Sequence, residues 1–173
     1  MKKIVIISIV LLYCFISGCQ PGKNNTIHAQ QIPVDTAMLD SIKANADSVY
    51  TKEYPRTDLV TAEYFVNHKD STITQVMKDI KGTIRQVIVE KNKIRIYFAK
   101  FYPNGQMVAK YYLDNFGQYN DSSKEFFENG FLKSEGIYKN GLHSGKWKNF
   151  DSTGSYISTN EYNQNGQQIK STE

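Results

Sequence analysis

A glycine able to close a tight turn returns three times in this chain with the same company around it. Gly105, Gly130 and Gly154 lie 25 and 24 residues apart. Four places before each stands Phe101, Phe126 or Phe150, and two places after each stands Met107, Leu132 or Tyr156. Eight places after come Leu113, Tyr138 and Tyr162, followed within three residues by Asn115, Asn140 and Asn165. A fixed period between 20 and 50 residues marks a repeat architecture. Two strands of five to seven residues plus two turns fill about 24 residues, and glycine accepts the left-handed turn conformation without a Cβ penalty. One hairpin cannot bury its own apolar face, so three units must stack and present a surface.

The rest of the chain fits around that array. Residues 59–102 change to a β texture: 60–67, 72–77, 83–90 and 93–102 are rich in Val, Ile, Thr, Tyr and Phe. Ile94, Ile96 and Phe98 alternate with Arg95, Tyr97 and Ala99, as in a half-buried strand. Lys91-Asn92 reads as a two-residue hairpin turn. Upstream, Asp35 is placed to cap a helix over 36–50, whose Met38, Leu39, Ile42, Ala46 and Val49 recur at spacings near three and four. That stripe reads as cover for one end of the sheet, since the polar face (Asp40, Lys43, Asp47) lacks the basic excess of a membrane-surface helix. Pro55 stops the helix. The expected fold is mainly β: an antiparallel meander running into a hairpin array, with one N-terminal α-helix.

The first residues read as an address. Lys2 and Lys3 precede an uncharged apolar stretch, 4–16, that is too short to span a bilayer. It ends in Ile16-Ser17-Gly18-Cys19, which resembles the lipobox of bacterial lipoprotein signals. The resemblance implies cleavage before Cys19 and acylation of its thiol and new amine, and several acyl chains hold a protein on a membrane stably. Residues 1–18 are then the signal peptide. Residues 19–34 become the lipidated cysteine and a polar tether, spanning roughly 20–25 Å as a random coil. The second cysteine, Cys14, leaves with the signal, so no disulfide remains to hold the exported domain. The domain plan continues with 35–58 as helix and connector, 59–100 as a meander cap, and 101–173 as three repeats, the last two segments forming one domain. Formal charge is +4 for the whole chain, two of it from Lys2 and Lys3. No clustered basic footprint for nucleic acid is present.

Around Trp147 the residues Glu135-Gly136-Ile-Tyr138, Asn140-Gly141-Leu-His-Ser-Gly145-Lys-Trp147 and Phe150 resemble the bacterial variant of the MORN repeat. The likeness covers about 95–170. The first copy has no tryptophan before Phe126, and the third lacks its second half. The resemblance implies an elongated, curled sheet of hairpins without intrinsic chemistry. Bacterial members carry an antitoxin label, which fits poorly with an exported, lipidated chain and is not carried over. Gly105, Gly130, Gly154 and Gly141 are the expected turn glycines. Phe101, Phe126, Phe150, Leu132, Tyr138, Trp147 and Tyr162 are the expected repeat core, and Tyr111, Tyr112, Tyr119 and Tyr156 are candidates for an exposed recognition face.

Catalytic constellations are not expected. His28 and His143 stand alone, giving no metal spacing, and no cofactor motif follows a strand. In Gly141-Leu-His-Ser144-Gly145 the serine is one place off a nucleophile elbow. Asp121 and Glu125 flank Ser122, Ser123 and Lys124 in what reads as a loop. The expectation is a non-catalytic lipoprotein of the cell envelope whose repeat surface is an adaptor for another envelope protein. The alternative is a glycan- or peptidoglycan-binding lipoprotein using the same aromatic residues. Gln20, in place of an aspartate after the cysteine, favours the outer membrane.

Overall fold

A computed structural model describes residues 36–54 and 58–173. The expected signal peptide, Cys19, the tether, Asp35 and Pro55 lie outside the described residues. The rest forms one helix, α1 (Thr36–Asn45), and an 11-stranded sheet. Its strands are β1 (Ser48–Glu53), β2 (Leu59–Asn67), β3 (Thr72–Asp79), β4 (Ile84–Lys91), β5 (Ile94–Phe101), β6 (Met107–Tyr112), β7 (Asp121–Phe126), β8 (Leu132–Lys139), β9 (Leu142–Phe150), β10 (Tyr156–Tyr162) and β11 (Gln168–Thr172). All pairings are antiparallel, and spatial order equals sequence order. The sheet is therefore an open meander with β1 and β11 at its two edges.

The helix is shorter than its sequence pattern suggests. It stops at Asn45, whose side-chain amide donates back to the Ser41 carbonyl at 2.8 Å. Val49, Tyr50 and Thr51 then extend as part of β1, because β-branched and aromatic residues favour the pleated conformation and β2 offers a pairing edge. Residues 121–125, read as a loop, belong to strand β7, which pairs with β8 along its whole length. The tight β4–β5 turn is centred on Asn92-Lys93, both at positive φ, one residue later than expected.

The two faces of the sheet differ. On one face Phe65, Val76, Val87, Ala99, Phe101, Met107 and Phe126 form a buried cluster, and Leu39 of α1 seals it, with Ile42 packed alongside. Burying a leucine stabilises by about 1.5–3 kcal/mol, so the helix is held by its apolar stripe. Further along this helix side, register aligns Lys110, Lys124, Glu135 and Lys148. Glu135 bridges its lysine neighbours at 3.4 and 3.6 Å.

One turn recurs six times among the described residues, at 79–83, 102–106, 114–118, 127–131, 151–155 and 163–167. The fourth residue is always a glycine at φ between 72° and 88°. Its N–H donates to the carbonyl of the first residue at 2.9–3.0 Å, and the N–H of the first donates to the carbonyl of the fifth at 2.8–3.0 Å. A type I turn followed by a left-handed residue has this pattern. Carboxylate or amide oxygens of Asp79, Asp114, Asp151 and Asn163 accept two backbone N–H bonds each. Neighbouring turns on one side of the sheet are tied to each other. Tyr102 Oη donates to the Phe126 carbonyl at 3.1 Å, Asn104 Nδ2 to Glu128 at 3.0 Å and Asn129 Nδ2 to Ser152 at 2.8 Å.

Candidate functional site

Directly opposed residues of antiparallel strands share a face. Register therefore sets Tyr50, Tyr64, Gln75, Ile88, Phe98 and Tyr111 in one row across β1 to β6. The row lies on the face away from α1. Ring contacts carry it onward: Tyr111 to Tyr119 at 4.7 Å between centroids, Tyr119 to Tyr138 at 5.4 Å, and Tyr138 to His143 at 4.9 Å. His143 lies 4.0 Å from the Trp147 ring and 4.9 Å from that of Tyr162. A band of aromatic residues, interrupted by Gln75 and Ile88 on β3 and β4, thus crosses nearly the whole sheet.

The orientation of the rings matters as much as their number. Tyr50 and Tyr64 stack at 4.7 Å with planes 8° apart, and Phe98 and Tyr111 lie 9° from parallel at 6.2 Å. Parallel rings on adjacent strands stand upright on the sheet. They turn their faces toward each other, and the Tyr64 hydroxyl is engaged by Tyr54 and Gln75 while that of Tyr111 donates to Glu125.

Toward the C-terminal end the band dips. Gly136, opposite Ser123 on β7, leaves room for the indole of Trp147, which is 3 % exposed and donates from Nε1 to the Ile137 carbonyl at 3.1 Å. Beside it opens a cavity of about 430 Å³ lined by Glu125, Phe127, His143, Trp147, Phe150 and Tyr162, among others. Glu125 Oε1 accepts the Tyr111 hydroxyl at 2.9 Å. Burial, reinforced by the bond to Glu125 and its charge, pushes the Tyr111 phenol above its ordinary value. Burial, and after it the Glu125 charge, raises Tyr138 to about 12. His143 is lowered by burial, against an opposing pull from Glu125; its Nε2 lies 3.0 Å from the Tyr138 hydroxyl.

The sequence-derived candidates divide between these places. Gly105, Gly130 and Gly154 hold the fourth position of their turns at φ 83°, 88° and 86°, and Gly141 at 79° shares a two-residue turn with Asn140. Phe101, Phe126 and Phe150 are buried where their strands meet the turns, and Leu132 packs against the main cluster. Trp147 is buried on the opposite face, with Tyr138 and Tyr162 half-buried beside it, so the expected repeat core is split between two faces. The four tyrosines expected to share an exposed surface do not. Tyr111 and Tyr119 belong to the band, whereas Tyr112 pairs with Tyr97 on the helix side. Tyr156 sits opposite Phe150, with its hydroxyl 2.9 Å from Thr159 Oγ1 and 3.2 Å from the Thr172 carbonyl. The bulges beside the turns, such as that between Lys100 and Phe101, shift the alternation and make the face hard to count from sequence. Glu125 was missed. The phenylalanine column held its signal, since Phe126 closes a strand and Glu125 precedes it.

Among the described residues no group of His, Cys, Asp or Glu has the arrangement of a metal site, and no helix is long and apolar enough to cross a membrane. No protein-family model and no curated protein matches the chain. Similar solved structures include accessory secretory proteins 1, 2 and 3 of Streptococcus pneumoniae, at 14 % identity and TM-score 0.33, covering 73 % of this chain and 22 % of that one. An S. aureus TarM mutant in complex with fondaparinux, alpha-GlcNAc-glycerol and UDP matches at 9 % identity and TM-score 0.34, over 66 % of this chain and 26 % of that one. TarM matches again at 13 % identity and TM-score 0.34, over 82 % and 24 %. The chain thus spans about a quarter of the length of these neighbours, and at such TM-scores the likeness carries no argument.

Proposed function

We propose that this is a non-catalytic lipoprotein of the cell envelope, anchored through Cys19, spaced from the membrane by residues 20–34, and binding another envelope protein through the aromatic band. The hairpins of 101–173 act as a curled MORN-like array whose fixed columns build the sheet, leaving recognition to residues between them. The outer membrane is the favoured site, from Gln20 after the cysteine.

The observation that carries this reading is the upright band itself. Tyrosines held on a rigid sheet supply large contact area with few rotors to immobilise, the composition enriched at protein interfaces. A saccharide platform needs ring faces lying open toward the ligand, and the stacked pairs close theirs against each other. Protein binding is therefore favoured over glycan binding.

Crosslinking in intact envelopes, followed by capture of the tagged chain from detergent, tests the proposal. One protein recovered reproducibly with the wild type, and lost with Tyr119→Ala while circular dichroism stays unchanged, is the expected result. Recovery of none by a folded wild-type chain refutes it, and sedimentation with purified peptidoglycan moves the function to glycan binding. Mass spectrometry of the mature N-terminus reads the anchor: a diacylglyceryl-modified Cys19 is expected, and an unmodified thiol overturns that part.

A further inference from the structure

Glu125 stands out on the band. Its carboxylate is half-buried on the central strand β7 and accepts one hydroxyl, from Tyr111. No lysine, arginine or histidine nitrogen lies within ion-pair distance of it among the described residues, although Glu63, Glu135 and Asp79 all have such partners. Charged groups of this kind are ordinarily paired when removed from water. Glu125 instead faces the cavity beside Trp147, where Phe127, Phe150 and Tyr162 supply further rings. A carboxylate among aromatic rings is complementary to a cation carried on an apolar stem, because the ring quadrupoles and the carboxylate attract the same charge. The size of the cavity, about 430 Å³, is within the range that holds a small ligand or a long side chain.

We propose that this cavity receives a lysine or arginine side chain of the partner protein, with Glu125 as its counter-ion and the surrounding rings as its walls. This rests on the protein-binding reading above and names the charge that the partner must present. The field of Glu125 is already felt by its neighbours, since after burial it is a cause of the raised phenols of Tyr111 and Tyr138. His143, lowered by burial, is neutral at pH 7 and does not compete. Lys133 also lines the cavity, but it is exposed and makes no ion pair among the described residues. It repels an incoming cation weakly through solvent, and its removal therefore strengthens the binding of a basic ligand. A zwitterionic or anionic ligand would show the opposite sign.

Trp147, the one tryptophan of the chain, is a built-in reporter. The full chain in detergent micelles is titrated with acetyl-Ala-Lys-Ala-amide and acetyl-Ala-Arg-Ala-amide, with acetyl-Ala-Glu-Ala-amide as control, while Trp147 emission is followed. A saturable change with the two cationic peptides and none with the acidic one is expected. Glu125→Gln weakens that response on the order of tenfold, the size of one charge-assisted bond, and Lys133→Ala tightens it about two- to threefold, as expected for an exposed charge. An unresponsive Trp147, unaltered affinity in Glu125→Gln, or weaker binding in Lys133→Ala overturns the proposal. Should Glu125→Gln fail to fold, Lys133→Ala on its exposed side chain decides alone. The two claims fail separately: an envelope protein captured by a chain whose Trp147 ignores cationic peptides sinks the cation site, and peptides that titrate while no protein is captured sink the adaptor.

Discussion

The close approach of Gly136 and Trp147 converts directly into a number. A Cβ built on Gly136 would lie 2.6 Å from Trp147 Cγ and closer still to Cδ2 and Cε2. Separations under 3 Å are not tolerated by real side chains, so in Gly136→Ala the indole must move as a rigid plate. It is 3 % exposed and hemmed in by Tyr138 and His143 at 4.9 and 4.0 Å. Overpacking of this kind costs about 1–3 kcal/mol. If the shift also breaks the Trp147 bond to the Ile137 carbonyl, a buried N–H left without a partner adds about 1–3 kcal/mol. The sum, about 2–6 kcal/mol, corresponds to a fall in Tm of roughly 4–24 °C for a chain of this size, at about 2–4 °C per kcal/mol. Thermal unfolding followed by circular dichroism and by Trp147 emission measures both the loss and its location, with a red-shifted native emission as the indole meets water. In a Trp147→Leu background the added Gly136→Ala should cost under about 1 kcal/mol, because contacting residues couple and the plate is gone. A Tm within 2 °C of wild type for Gly136→Ala alone, with unchanged emission, would refute the reasoning.

Other outcomes follow from the turns and the titrating groups. Gly166→Ala should destabilise more than Gly105→Ala in denaturant titrations. Both residues have positive φ, costing about 1–2 kcal/mol, but only at Gly166 does the new Cβ also meet Leu142, at 2.9 Å. Asn129→Ala loses both the bond to Ser152 and the cap on Phe131 N–H, a change of about 1 kcal/mol in unfolding free energy. His143 is held below its ordinary value of 6.5 by burial. The unfolded chain therefore takes up a proton first, and stability declines as pH falls from about 6.5 toward the folded value. Urea midpoints between pH 8 and 5 should show that decline and lose part of it in His143→Gln. Asp151 is held low by its bonds from Thr153 and Ser155. Its contribution is present above the ordinary carboxylate value and fades as pH drops further, which Asp151→Ala should abolish in acid titrations.

Much of the fold could be read from the residues because its determinants are local. The glycines at 105, 130 and 154 announced their turns, and the stretches 60–67 and 72–77 fall on strands whose boundaries differ by at most two residues. The turns at Gly117 and Gly166 are harder to read, since no phenylalanine stands four places before them. There an Asp or Asn at the first position carries the cap instead. Val49 was misread because its spacing from Ala46 and Ile42 suits a helix as well as it suits the end of one. The candidate site was the least legible part. Tyr111 and Tyr112 are adjacent in sequence, and only the pairing register decides that the first joins the band and the second packs by Tyr97 on the helix side. Glu125 acquires its role from the rings that three other strands bring around it, a relation that no window of sequence contains.

Strand order equal to sequence order has a consequence for how such a chain is made. Each strand pairs with the one synthesised just before it, so every hairpin can settle on a finished edge as it emerges, with no distant segment to await. Pairing then accumulates hairpin by hairpin along the meander, and the edge strands β1 and β11, paired on one side only, fray first. A whole turn-to-turn unit of 24 or 25 residues could be duplicated or lost while every other pairing stays intact, provided that the asparagine rungs meet the next turn. Length, and with it the reach of the aromatic band, is thereby a quantity that gene duplication can adjust in steps.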